Sequence, residues 1–527
     1  MKLPEALYTA AQVRELDRLA IEERKIPGAK LMQRAGAAAF DLLRTRWPRA
    51  QRVVVVCGPG NNGGDGYVMA RLARAAGYTV NVLSLGAAEK MRGDAAAARK
   101  QCKAAGVAIR NFQADLLVGH DVIVDALLGT GMERDVEGEW RAAIEAINVS
   151  RVPVLAVDLP SGLNADTGRV MGAAVRAGAT MSFIGLKAGL FTGAGREHAG
   201  EIYFNDLNVP SDIYATVPAQ VQRLTEQSLY GLMPARRRDM HKGDAGHVLV
   251  IGGDRGMPGA ARLAGEAAYR AGAGLVMLAT HPEHAAQISA ACPELIVHGV
   301  AAPEELRPLL ARADVIAVGP GLGQGEWGDA LFGAALDTKL PMVVDADALN
   351  TLATDPLMHA DWILTPHPGE AARMLGLSTA EVQADRFTAA REIAASFGGV
   401  CVLKGAGTLV ASFNMERRAS EAGRVPLAVE RRVRAASRAV LADGVVSVCD
   451  RGNPGMASGG MGDVLTGVIA GLRAQGLISP VAARLGVWLH AAAGDDVAAS
   501  GEIGMLASDL FPHIRSRLNR LVGHAGR

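Results

Sequence analysis

Two apolar patterns alternate along the chain. Short, nearly unbroken apolar runs such as "RVVVVC", "DVIVDALLG" and "VPVLAVDLPSG" are too brief for helices, and they predict parallel strands buried on both faces. The same pattern returns later in "HVLVIGG", "GLVMLAT", "DVIAVGPGLG", "PMVVDADAL", "WILTPHPGE" and "VCVLKGAGTLV". Helical stripes lie between the runs. In "TAAQVRELDRLAIEERKIPGAKLMQRAGAAAFDLL", Leu16, Leu19 and Ala20, then Leu31, Met32 and Ala35, recur at helical spacing, and Thr9 with Gln12 has the spacing of a capping box. "RVVVVCGPGNNGGDGYVMARLARAAGYTVNVLSL" reads as strand, Gly-rich loop, helix and strand, one βαβ unit.

This alternation predicts an α/β protein of two three-layer domains. A segment with three prolines and a basic cluster, "LNVPSDIYATVPAQVQRLTEQSLYGLMPARRR", interrupts the series and places the junction between Ile213 and Pro234. The first domain is expected at 1–222 and the second at 223–527. From Asn414 to Gly444 the chain is basic and weakly amphipathic, and it separates "TLVASF" from "VVSVCD", two runs that would otherwise form a hairpin. This stretch is expected to be a solvated insertion, partly helical or mobile, with a partner-binding arm as the alternative.

Composition narrows the function. With 55 Lys+Arg against 54 Asp+Glu in 527 residues, the chain lacks the basic excess of a nucleic-acid binder. Apolar residues make up 49% and aromatics only 4%, which suits close helix-on-sheet packing. The five dispersed cysteines form no CxxC pair and read as reduced thiols without a zinc site. The start has no signal-type apolar core and no run is long enough to span a bilayer, so a cytoplasmic protein is expected.

Candidate chemistry gathers at the ends of the strand-like runs. "GNPGMASGGMGDVLTG" sets glycines before a helix that starts near Asp463. Bare amides and the positive end of the helix dipole make an anion site, and a carboxylate at its rim can take a proton from a hydroxyl attacking phosphorus. "KGAGT" offers the charge of Lys404 and the hydroxyl of Thr408 to a nucleotide phosphate, and "TPHPGE" pins His367 between two prolines. In the first half, "NNGGDG" departs from GxGxxG yet occupies the fingerprint position of a βαβ unit. Asn62, Asp125 and Ser161 bring one carboxylate and neutral oxygens, a set suited to a weakly charged cation rather than zinc.

These motifs carry a specific resemblance. "HKGDAGHVLVIGG", "GPGLG", "VVDADALN", "TPHPGE", "KGAGT" and "GNPGMASGGMGDVLTG" resemble ADP-dependent NAD(P)H-hydrate dehydratases of ribokinase-like fold. "LMQRAG", "CGPGNNGGDGYVMARLA", "DALLGTG" and "AVDLPSGLNADTG" are similar to NAD(P)H-hydrate epimerases of Rossmann-like fold. In this order they resemble the bifunctional NAD(P)H-hydrate repair enzymes, over nearly the whole chain except the stretch from Asn414 to Gly444.

The resemblance implies that Asp463 is the base of dehydration, with Gly462 in the phosphate cradle. It implies that Lys404, Gly405, Ala406, Gly407 and Thr408 hold the nucleotide, and that Ala260, Gly321, Gly323, His367 and Asp463 hold the hydrate. For the epimerase it implies substrate contacts at Asn61, Asn62, Gly63, Gly64 and Asp65, in the loop Gly129, Thr130, Gly131, Met132, Glu133, Arg134 and Asp135, and at a catalytic Asp158. Potassium would sit on Asn62, Asp125 and Ser161, and ADP would act with Mg2+. Lys187 is read as a solvated surface residue without a catalytic role. A homo-oligomer acting on small molecules, with no nucleic-acid or membrane partner, is expected. The residues alone also fit a small-molecule kinase fused to a nucleotide-binding domain, or a dinucleotide-sensing scaffold.

Overall fold

The computed structural model describes residues 3–87, 91–132, 134–413 and 444–522. The chain divides into two compact units, Met1–Gln222 and Arg223–Arg527.

The sheet of the first unit has seven strands: β1 (Arg52–Cys57), β2 (Thr79–Ser84), β3 (Ala108–Asn111), β4 (Val122–Ala126), β5 (Val154–Val157), β6 (Ala179–Phe183) and β7 (Glu201–Asn205). Their order is β3-β2-β1-β4-β5-β6-β7 and every pairing is parallel, the Rossmann-like order expected from the sequence. The unbroken valines of β1 follow from this arrangement. Val53 and Val55 enter one core with the helices Gly28–Arg46 and Asn61–Ala75, while Val54 and Val56 enter the opposite core with Ile144 and Ile147. Thr9 and Gln12 do form the capping box, on the helix Ala10–Arg18.

The second unit repeats the scheme with β8 (His247–Ile251), β9 (Leu275–Thr280), β10 (Ile296–Gly299), β11 (Val315–Val318), β12 (Met342–Val344), β13 (Trp362–Leu364) and β14 (Val400–Leu403). These run parallel in the order β10-β9-β8-β11-β12-β13-β14. Two antiparallel strands, β15 (Thr408–Ser412) and β16 (Val446–Cys449), extend the edge. The runs "TLVASF" and "VVSVCD" thus pair directly. The stretch between them lies outside the described residues apart from Gly444.

The alanine and glycine content is used where helices meet. The helix Met461–Ala474 lies against Pro258–Arg270 so closely that a Cβ at Gly467 would stand 2.0 Å from the carbonyl oxygen of Ala264. Only glycine permits that approach. The contact brings the amino ends of both helices to the carboxyl side of the sheet, where ligands of such folds bind.

Candidate active sites

In the first unit the strand order reverses between β1 and β4, which opens a crevice beyond their carboxyl ends. A cleft of about 1030 Å³ lies there. Asn61, Asn62, Asp65 and Asp158 line it, as do Gly129, Thr130, Gly131, Met132, Arg134 and Asp135. Glu133 lies outside the described residues. "NNGGDG" is not the loop expected from its glycines: the helix Asn61–Ala75 already starts at Asn61, and Gly63 and Gly64 are buried within its first turns. Gly60 precedes that helix and no side chain caps it, so its first amides face the crevice.

The three expected cation ligands come together. The carboxylate of Asp125, wholly buried, accepts hydrogen bonds from the Ser161 amide (2.8 Å), the Ser161 hydroxyl (2.6 Å) and the Leu127 amide (3.2 Å). Burial nevertheless pushes its carboxyl up to about 6, against those hydrogen bonds. Asn62 donates through Nδ2 to the Leu128 carbonyl (2.8 Å), and its Oδ1 is buried without any hydrogen-bond partner. A buried acceptor left unmade costs about 1–3 kcal/mol, a cost that a donor or a cation at this oxygen would remove.

Lys187 corrects the sequence reading. It is fully buried, and its ammonium pairs with Asp158 Oδ1 and also reaches Ser182 Oγ (3.3 Å) and the Phe183 carbonyl (3.1 Å). The surrounding "FIGLKAGLF" is apolar on both sides, the one local hint that this lysine points inward. Asp158 itself holds a left-handed backbone (φ 67°) and accepts from the Phe183 amide (3.1 Å). A non-glycine residue in that region stores strain, here held by the hydrogen bonds that Asp158 accepts from Phe183 and Lys187. Asp17, which the sequence reading passed over, lines the same cleft.

In the second unit the helix Met461–Ala474 begins two residues before Asp463. Gly460, at φ 88°, leads into it and no side chain caps it, so its first amides are open to a ligand. Asp463 sits in this first turn. Burial, then the like charge of Asp345, pushes its carboxyl up to about 7, with Lys404 pulling the other way.

Lys404 follows β14 and opens the turn to β15. Its ammonium pairs with Asp345 Oδ1 at 2.6 Å and lies 3.9 Å from Glu370. A Cβ at Gly462 would be 3.3 Å from Lys404 Nζ, so the lysine reaches the helix end. Asp345 Oδ2 accepts from the Thr466 hydroxyl (2.8 Å). Burial works to raise the Asp345 carboxyl, but the charge and hydrogen bond of Lys404, with Thr466 and Thr365, hold it below the ordinary carboxylate value. Asp345, Glu370 and Thr466 were not identified as site residues from the sequence, although Asp345 ends a strand-like run as Asp125 does.

The remaining expected residues fall around this centre. Gly405 and Ala406 are exposed in the turn, Gly407 is buried, and the Thr408 hydroxyl donates to the Gly405 carbonyl (3.0 Å). Ala260 and Gly321 are neighbours, since a Cβ at Gly321 would lie 3.2 Å from that of Ala260. The Gly323 amide donates to Asp347 (2.9 Å), another acid that raises Asp463. His367 is held chiefly by capping: its Nδ1 accepts from the amides of Gly369 (2.9 Å) and Glu370 (3.3 Å) at the start of the helix Pro368–Leu375. Burial, then the charge of Lys404, lowers its pKa, favouring the neutral ring that such capping requires.

The folds and sites define an α/β enzyme in which a Rossmann-like unit precedes a ribokinase-like one. Comparison with known proteins narrows this class. Residues 28–189 match the family profile described as YjeF-related protein N-terminus, and residues 248–429 and 433–516 match NAD(P)H-hydrate dehydratase. The second match crosses most of the stretch 414–444, which the sequence reading had left outside the resemblance. The bifunctional NAD(P)H-hydrate repair enzyme Nnr of Coxiella burnetii is 47% identical over 97% of this chain and 99% of its own. That of Escherichia coli is 41% identical over 99% and 95%. A crystal structure of the Bacillus subtilis ADP/ATP-dependent NAD(P)H-hydrate dehydratase, co-crystallised with ATP and Mg2+, is 29% identical with a TM-score of 0.45, covering 57% of this chain and 98% of its own. The chain belongs to the bifunctional NAD(P)H-hydrate repair enzymes, an isomerase joined to a lyase. Among the described residues, no helix is long and apolar enough to cross a membrane.

Proposed function

We propose that the chain repairs NADH and NADPH hydrated at the nicotinamide ring, with the first unit interconverting the R and S hydrates and the second dehydrating the S form at the expense of ADP. The carrying observation is Asp463, a half-buried acid held near pKa 7 on the first turn of an uncapped helix beside Lys404. Asp463 takes the proton of the ring hydroxyl as that oxygen attacks the terminal phosphorus of ADP. The open amides around Gly462, with the Lys404 ammonium, hold the phosphoryl oxygens, and the turn Lys404–Thr408 holds the nucleotide. Loss of phosphate then restores the dihydropyridine, leaving AMP and phosphate. Ala260, Gly321, Gly323 and His367 orient the hydrate toward Asp463.

Magnesium would screen the phosphate charge when bound. Magnesium of this kind keeps several waters and takes most of its other ligands from the substrate phosphates. Asp463 on the first turn, and Asp345, whose Oδ2 would stand 3.6 Å from a Cβ at Gly462, are hard oxygen donors at the helix end. In the first unit, the orphaned Asn62 Oδ1 beside buried Asp125 suits a monovalent cation, and potassium on Asn62, Asp125 and Ser161 is the reading we adopt.

The test is to supply purified S hydrate of NADH with ADP and Mg2+ and follow recovery of dihydropyridine absorbance together with phosphate release. Both are expected in equal amounts. A stable phosphorylated product without NADH would instead indicate a simple kinase and reject the reading.

A further inference from the structure

The first unit's cleft contains an acid that the reading above leaves unused. The ring carbon inverted between the two hydrates carries both a hydroxyl and the ring nitrogen N1, and such a hemiaminal inverts by opening. A base takes the hydroxyl proton, the carbon–oxygen bond becomes a carbonyl, and the bond from carbon 6 to N1 breaks. Its electron pair stays on N1, which takes up a proton. Rotation about the bond from carbon 5 to carbon 6 turns the aldehyde, and the reverse steps close the ring on the other face. Atoms and electrons balance without an oxidant or reductant, and the cycle needs a base at the hydroxyl and an acid at N1, roles that two groups placed on either side of the ring can divide.

Asp158 is suited to be the base. Its Oδ1 is engaged by Lys187 and by the Phe183 amide, and no described residue bonds its other oxygen. Lys187 is poorly suited to be the acid, because its three N–H bonds are already directed to Asp158, Ser182 and Phe183. Asp17, in the last turn of the helix Ala10–Arg18, lines the same cleft as Asp158 and Lys187, and its carboxyl has no hydrogen bond or ion pair with any described residue. Asn62, more than nine-tenths buried, lines the same cleft with its Oδ1 unpartnered, so this space is built to receive a ligand, and the cation proposed on that oxygen would sit beside the hydrate.

We propose that Asp17 is the catalytic acid of the epimerase, giving a proton to N1 as the ring opens and recovering it on closure. The inference rests on the reading of this unit as an epimerase. Burial holds the Asp17 carboxyl at about 6, with Lys187 pulling it down and Asp158 pushing it up. A group ionising near neutrality exchanges protons in both directions at little cost. Asp65 also faces it, and its carboxyl is pushed well above the ordinary value by burial, then by the charges of Asp158 and Asp17, with Lys187 pulling the other way. Arg14, one turn back on the same helix, also lines the cleft.

The test uses the full chain with ADP and Mg2+. Pure R hydrate is consumed only as fast as it epimerises, whereas pure S hydrate reports the second unit alone. Asp17→Asn is expected to slow R consumption by roughly 10²–10⁴-fold and leave S consumption unchanged, and Asp17→Glu is expected to restore part of the rate. The wild-type R reaction is expected to lose rate as pH rises past Asp17's ionisation, a limb absent from Asp17→Asn. Wild-type R turnover in Asp17→Asn overturns the assignment, as does disappearance of that limb in Asp65→Asn but not in Asp17→Asn. If wild-type protein converts R hydrate no faster than buffer, the epimerase reading itself fails and the assignment of Asp17 falls with it.

Discussion

Asp463→Asn tests the dehydratase site through two observables that should move in opposite directions. The folded carboxyl ionises near 7 rather than 3.8, about three pH units higher. At ~1.36 kcal/mol per pH unit, that corresponds to about 4 kcal/mol of destabilisation in the fully ionised protein, an upper value because the side chain keeps some contact with water. The sign follows from the order of ionisation. Below about pH 4 the carboxyl is protonated in both folded and unfolded chains and costs nothing. As pH rises toward 7 the unfolded chain ionises first, and the folded state loses ground; above 7 the full cost is present. Asparagine cannot ionise. Asp463→Asn should therefore stabilise the second unit progressively from pH 4 to 8 while its dehydratase rate falls by ~10²–10⁴. Urea unfolding without nucleotide at pH 4.5, 6 and 8, followed by hydrogen exchange at the core amides of Met461–Ala474, reads the first effect, and the S-hydrate assay reads the second. A gain independent of pH, or near wild-type turnover, would refute the account of a base whose ionisation burial moves up to about 7 at the helix end.

Lys187→Met breaks a buried ion pair, and such losses cost ~3–5 kcal/mol because the remaining charge is stranded. It should lower the protection of the β6 amides and abolish epimerisation while sparing S-hydrate turnover; unchanged protection would place Lys187 outside the core. Gly462→Ala sets a methyl group 3.3 Å from Lys404 Nζ and 3.6 Å from Asp345 Oδ2, with no backbone atom in its way. Thermal stability should hold, while the KM for ADP rises about tenfold, worth ~1.4 kcal/mol of binding; an unaltered KM would remove Gly462 from the phosphate cradle. Potassium should raise the melting temperature of the first unit more than tetramethylammonium at equal ionic strength, and Asn62→Ala should erase that difference. Equal responses to both cations would show only general screening.

Much of the architecture was legible in the chain because its signals are local. The apolar runs named from the sequence are strands, the Thr9–Gln12 box caps its helix, and the long motifs specified the family. Some strands were missed: β3, β7 and β10 are edge strands with exposed or half-exposed positions, and β6, although buried throughout, mixes Thr and Ser into "ATMSF", so none has a continuous apolar run. The start of the helix at Asn61 was misread because glycines signal loops unless packing against neighbouring backbone selects them.

The sequence by itself therefore determined two α/β units, their order, their family and the acids at their strand ends, since pleat period, helix period and turn chemistry act over a few residues. Only the tertiary structure decided which charges meet. Lys187 reaches Asp158 across 29 residues, Asp345 meets Thr466 across 121, and Asp17 enters the cleft from the helix Ala10–Arg18, well ahead of β1. Ionisation at these sites depends on burial and on neighbours brought together by strand order, and no local pattern encodes either.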